Sequence, residues 1–121
     1  MAGDDVNTLA DYVRRGFIGR VDFFVGEIFK GSYPEAYARA AALCKSCGGR
    51  MVTFRNHAKV MIIHGDRFDC LIESSANVNT NPRCENTVLT VDSGLARAYA
   101  ELFSGIRSFD RDFDHVPPYT W

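Results

Sequence analysis

A chain of 121 residues has room for one domain of ordinary size, roughly 100–150 residues, and for no second module. Hydrophobic residues make up 46% and charged residues 24%, a balance expected of a water-soluble globular domain, and no run approaches the roughly 20 apolar residues of a membrane span. With 14 basic and 15 acidic residues the net charge is −1, so bulk charge does not mark a nucleic-acid binder. A local basic patch is still possible, because Arg50, Arg55, Lys59, Arg67 and Arg83 crowd the central third. The acids gather toward the ends, at Asp4, Asp5, Asp11, Asp110, Asp112 and Asp114.

The first twelve residues, MAGDDVNTLADY, are acidic and polar. They lack the basic and apolar regions of a secretory signal, and a cytoplasmic location is expected. Residues 6–16 place Val6, Leu9, Ala10 and Val13 on one helical face, with Gly16 as a stop. Residues 21–25 (VDFFV) predict a buried strand. Ser32-Tyr33-Pro34-Glu35 then predicts a helix start, with Ser32 as N-cap, Glu35 closing a capping box and Pro34 in the first turn. That helix runs through 36–43 and ends at Gly48-Gly49, where a left-handed cap calls for glycine.

Residues 50–55 (RMVTFR) predict a second strand, making 21–55 a strand–helix–strand crossover of parallel, right-handed type. Residues 58–63 and 68–73, joined at His64-Gly65-Asp66, predict an antiparallel hairpin. Residues 74–84 are polar and read as a loop, residues 87–91 as a strand, and residues 95–106 as an amphipathic helix. That helix turns Leu95, Tyr99, Leu102 and Phe103 inward. The tail reads as irregular. The order α-β-α-β-β-β-β-α predicts a single α/β domain over 1–121, its core about 20–106, with a mixed β-sheet flanked by helices.

Cysteines stand at 44, 47, 70 and 84 and are expected as reduced thiols. Cys44 and Cys47 form a C-x-x-C that zinc or redox chemistry could use. The pair closes an Ala-rich helix, however, where small buried residues suit packing. Cys70 and Cys84 are too far apart to supply a second pair, so no metal or other cofactor is expected.

The chemistry-bearing segment is 57–86, HAKVMIIHGDRFDCLIESSANVNTNPRCEN. Strand alternation puts His57 and Lys59 on one face. The returning strand ends in Ser74-Ser75-Ala76-Asn77, followed by Glu85-Asn86. A hairpin thus brings an imidazole, a cation, a hydroxyl and an amide to one strand end, a set suited to a phosphoryl group. Arg55, two residues before His57, is a candidate substrate contact, and Arg83 could touch a phosphate beside the site. His64 at the turn and His115 in the tail are expected to be exposed without a role, and Asn79 and Asn81 to be turn residues.

This pattern resembles the H-x-K…G-S-x-N signature of the phospholipase D superfamily, and the phrase SSANVNTNPRCEN resembles phage-type, single-motif nucleases within it. The likeness covers roughly residues 20–105. Three features depart from the pattern. His64 stands where the family usually carries Asp, Ser74 stands for the first Gly, and the chain is short, as in a trimmed or reduced member without the N-terminal sheet elements.

The resemblance implies an α/β/α sandwich in which His57 is a nucleophile forming a phosphohistidine. Lys59, Asn77 and Ser75 would hold the non-bridging oxygens, and Glu85 would orient an imidazole. It implies further a metal-independent phosphodiesterase acting on nucleic acid or another phosphodiester. A single motif requires a homodimer, with no membrane partner. The alternative is a module of the same fold that binds nucleic acid or a phosphorylated ligand without turnover.

Overall fold

The computed structural model describes residues 3–75 and 84–108. Helix α1 spans Gly3–Arg14 and strand β1 Phe23–Gly26, followed by the short helix α2 (Phe29–Ser32) and the longer α3 (Pro34–Cys47). Four strands and a helix complete the described residues: β2 (Met51–Phe54), β3 (Val60–His64), β4 (Asp69–Ser74), β5 (Thr87–Val91) and α4 (Ser93–Ser104). The class is α/β, as the sequence predicts.

The two expected pairings, β1 with β2 and β3 with β4, occur. β1 and β2 lie parallel across the α3 crossover, Phe23 opposite Met51 and Gly26 opposite Phe54. β3 and β4 form the antiparallel hairpin, Val60 opposite Glu73 and His64 opposite Asp69. β5 then adds antiparallel to β4, Cys70 opposite Val91 and Ser74 opposite Thr87. Among the described residues these pairings form two sheets, β1-β2 and β3-β4-β5, and not the single mixed sheet expected. The five residues 55–59 that leave β2 carry no strand pairing, so the hydrogen-bond ladder is broken there.

Two apolar clusters hold the elements. In the first, Val6 from α1, Phe23 from β1 and Ala40, Leu43 and Cys44 from α3 are buried together, with Leu9, Ala10 and Val13 packed against them. The α1 face predicted from the 3–4 spacing is therefore the face used. In the second, α4 covers the side of the antiparallel sheet that carries Leu71 and Glu73. Leu71 is fully buried, Ala96 nearly so, and Tyr99 Oη donates to Glu73 Oε1 at 2.8 Å. That hydrogen bond, which ionisation would break, raises the Tyr99 phenol above its ordinary range, and the negative charge of Glu73 adds to the effect.

The inward face of α4 is Ala96, Tyr99 and Phe103, at helical spacing. Leu95 and Leu102, also expected inside, are exposed, because only one stripe of a twelve-residue helix can meet a three-stranded sheet.

Arg50 joins the two halves. Its guanidinium donates to Ser104 O at 3.1 Å and Ile106 O at 2.6 Å, carbonyls at and just past the end of α4 that Arg107 Nη1 also reaches, at 3.1 and 3.4 Å. It also lies over the Phe24 ring, 5.5 Å from the centroid, and Phe24 meets Phe103 edge-on at 5.1 Å. Just beyond, Ser108 Oγ accepts from Thr53 N at 3.0 Å. Arg50, counted with the basic patch on sequence grounds, is thus a helix-end clamp.

Helix α3 starts differently from the expected capping box. Ser32 is the last residue of α2, and Tyr33 occupies the N-cap with no side-chain cap hydrogen bond. The α2 turn takes up the segment in which Ser32 would have had to be extended. Pro34 does open the helix, and Gly48 ends it at φ 72°, the left-handed geometry that favours glycine. Cys44 Sγ donates to Arg50 O at 3.2 Å, and Cys47 Sγ accepts from Val21 N at 3.3 Å. The C-x-x-C thiols therefore fasten α3 to the strand entrances, and burial pushes the Cys44 thiol up. Among the described residues no helix is long and apolar enough to cross a membrane.

Candidate phosphate site at the hairpin end

Asn56 shapes the approach to His57. Its side-chain amide donates to Phe24 O at 3.0 Å while its Oδ1 accepts from Ala58 N at 3.0 Å, a local turn of the kind Asn favours. The segment carrying His57 is thereby tied back to β1. Sequence reasoning passed over Asn56, although an Asn next to a candidate His was the available signal. His57 and Lys59 precede β3 instead of starting it, since pairing begins at Val60. Ser74 N nevertheless donates to Lys59 O at 3.0 Å, which fixes Lys59 opposite Ser74.

His57 is exposed and Lys59 half-buried. Lys59 Nζ stands 2.7 Å from His57 Nδ1 and 3.4 Å from Nε2, and donates to His57 O at 2.8 Å. An ammonium has only protons to give, so the ring nitrogen facing it carries a lone pair. The pair forms a self-contained cation–imidazole unit at the end of the hairpin.

Just past β4, Ser75 N donates to Asn86 O at 3.0 Å, and Asn86 N donates to Ser75 Oγ at 2.9 Å. Ser75 Oγ in turn donates to Glu85 Oε2 at 2.5 Å. Ser74 Oγ and Thr87 Oγ1 lie 2.8 Å apart beside them. The Ser75 proton, considered on sequence grounds as a donor to phosphate, is given to Glu85, and Glu85 holds Ser75.

The structure thus brings His57, Lys59, Ser75 and Glu85 to one end of β3-β4-β5. Asn77 and Arg83 lie outside the described residues. Arg55 is half-buried with Nε 3.9 Å from Glu27 Oε1, an ion-pair partner the sequence did not reveal.

At the opposite end of the hairpin, His64 Nδ1 stands 2.6 Å from Asp69 Oδ1. His64 is exposed, as expected, but it has a partner. The His64 hydrogen bond, with help from the Ser93 side chain, holds the Asp69 carboxyl below its ordinary range. A depressed carboxylate contributes stability above its unfolded pKa of about 3.9, and that contribution is lost as pH falls through the folded value. Acid titration of stability should therefore fall below about pH 4 in the parent and be flatter there in Asp69→Asn. Equal slopes in urea midpoints between pH 5 and pH 2 would refute the role.

Among the described residues no three His, Cys, Asp or Glu side chains group closely enough to hold a metal ion. An open cavity of about 530 Å³ lies between α1 and α3, lined by residues including Val6, Val13, Arg39 and Leu43. It contains none of the candidate residues. No protein-family model matches the chain, and neither a curated protein nor a solved structure matches it.

Proposed function

We propose that this chain is a metal-independent phosphodiesterase of the phospholipase D superfamily, a cytoplasmic, phage-type nuclease acting through a phosphohistidine as a homodimer in an α/β/α sandwich. The observation that supports this reading is the hairpin register. It sets Lys59 opposite Ser74 and so gathers His57-x-Lys59 and the Ser75–Glu85 pair at one sheet end.

In this mechanism the phosphate oxygens draw the Lys59 ammonium away from the imidazole, freeing a ring nitrogen to attack phosphorus. The P–O bond to the leaving group breaks, and the partner's His57 supplies the proton the leaving oxygen needs. Water then attacks the phosphohistidine, the P–N bond breaks, and the partner's His57 takes up the water proton. Lys59 and Asn77 balance the charge on the non-bridging oxygens.

A second reading, a phosphate- or nucleic-acid-binding module without turnover, is favoured by the contact that occupies the nucleophile, Lys59 Nζ at 2.7 Å from His57 Nδ1.

The two readings separate in one assay. Hydrolysis of bis-p-nitrophenyl phosphate and of single- and double-stranded DNA would be followed in EDTA for the parent and His57→Ala. Cleavage by the parent that is lost in the variant is expected. A folded parent that binds DNA without cutting it would leave the binding module standing and remove the nuclease.

A further inference from the structure

Helix α2 and the start of α3 stand at the carboxyl end of the parallel β1-β2 pair, and they carry a group of aromatic rings. Phe29 meets Tyr33 at 6.0 Å and Tyr37 at 6.1 Å between ring centroids. Tyr37 Oη lies 3.5 Å from Thr53 Oγ1 on β2, and Lys30 Nζ stands 5.5 Å from the centre of the Tyr37 ring. Phe29 and Tyr37 are half-buried, whereas Tyr33 is 61% exposed. Packing of α2 on α3 therefore accounts for two of the three rings and leaves Tyr33 presented to solvent.

The rings share a face of the sheet with the approach to His57. Register pairs Val25 with Thr53, and the next residues on that side are Glu27 and Arg55, joined by the ion pair described above. At the end of β1 an added Cβ at Gly26 would meet Asn56 O at 3.0 Å, so the two strand ends run close together. Thr53, which Tyr37 touches, is four residues before His57, at most about 13 Å of extended chain. A strand of a few nucleotides with one phosphate at His57 can thus reach the rings with a base.

Charge decides what this edge can seat. Among the described residues Lys30 has no carboxylate partner, and Glu27, the acid nearest the site, is taken up by Arg55. Tyr33 also lines an open hollow of about 450 Å³ with Ser32, Asp4, Glu35 and Arg39. Its two carboxylates repel a phosphate, but they accept hydrogen bonds from the amino groups on the edge of a base.

We propose that Tyr33, backed by Phe29 and flanked by Lys30, is a base-stacking subsite that selects unpaired nucleotides, making single-stranded nucleic acid the substrate of the site at His57. This deepens the nuclease reading above and rests on it. The Tyr33 ring takes the face of a base, the hollow its edge, and Lys30 the neighbouring phosphate. A base inside a duplex has both faces stacked and its pairing edge occupied, and it cannot enter.

Fluorescence anisotropy with a labelled oligo(dA) about a dozen nucleotides long, alone and paired to its complement, tests the subsite. Every protein carries His57→Ala, which keeps the probe uncut, and circular dichroism confirms folding. The single strand should bind more tightly than the duplex. Adding Tyr33→Ala should weaken the single strand roughly 10-fold and leave the duplex unchanged, while Tyr33→Phe, which keeps the ring, should restore binding. Lys30→Ala should lower the slope of log affinity against log salt by about 0.7, the loss of one phosphate contact.

Equal affinity for the two probes, no binding of either, or a Tyr33→Ala variant that holds the single strand unchanged would overturn the proposal. An unchanged salt slope would remove Lys30 from it. Single-strand binding that depends on Tyr33, with no phosphodiester hydrolysis by the parent, would keep the subsite and remove the enzyme. Hydrolysis by a parent whose binding ignores Tyr33 would keep the enzyme and remove the subsite.

Discussion

Gly49→Ala is expected to cost about 3–4 kcal/mol of folding stability, far more than an ordinary glycine replacement. An added Cβ would come within 1.8 Å of Val21 O, 2.8 Å of Val21 C and 3.2 Å of Asp22 Oδ1. The first two are backbone atoms and cannot swing aside as a side chain would. They belong to the entrance of β1, where Phe23 N donates to Arg50 O at 2.8 Å and Arg50 N donates to Asp22 Oδ1 at 2.7 Å. Relieving the clash therefore means parting the β1-β2 ladder at its first rung. Gly48→Ala is the comparison. Its φ of 72° puts a Cβ in the left-handed region, but the added atom would meet nothing within 4 Å, so about 1 kcal/mol is expected. Urea midpoints for the two variants give the difference directly. Equal losses would mean that the Val21 carbonyl yields easily.

The second large effect lies in the antiparallel sheet. Leu71→Ala should cost about 3 kcal/mol, because Leu71 is the one fully buried side chain of the central strand and its loss would leave a void under α4. Leu102→Ala, on the same helix but 66% exposed, should fall within about 0.5 kcal/mol of the parent. Chemical denaturation of the pair would show which face of α4 carries the packing. A Leu102 loss equal to that of Leu71 would restore the inward orientation its sequence position suggested.

The contrast between these leucines shows what could be read in the sequence. Element types and pairing senses were legible, because 3–4 spacing in α1, the Gly48 cap, the α3 crossover and the His64-Gly65-Asp66 turn are local signals. The placement of Leu95 and Leu102 was not. Both fit an apolar face, and only the width of the sheet beneath the helix decides which stripe is buried. The break between the two sheets was hidden for a similar reason. Residues 55–59 (RNHAK) lie between two strand-like runs, and the bonds of Asn56 to Phe24 O and Ala58 N turn the chain there.

At the candidate site the hairpin return could be inferred from spacing, and it is why His57, Lys59, Ser75 and Glu85 share one end. What the side chains do with one another was out of reach. Nothing in the sequence tells that Lys59 folds back onto His57, that Ser75 gives its proton to Glu85, or that Arg55 meets Glu27, because such pairings depend on ångström-scale geometry. Asp92 could have been read. It caps α4 by accepting from Leu95 N at 2.9 Å, a standard start signal placed directly before the helix.

The Arg50 clamp bears on the order in which the molecule assembles. Its two carbonyl partners lie 54 and 56 residues further along the chain, with β3, β4, β5 and α4 in between. Loop-closure entropy opposes such a link until the intervening chain is already compact. The clasp is therefore expected to shut late, and an interaction absent at the folding barrier leaves the rate of folding almost untouched while retarding escape from the native state. Arg50 is, in this sense, a latch on the lifetime of the fold.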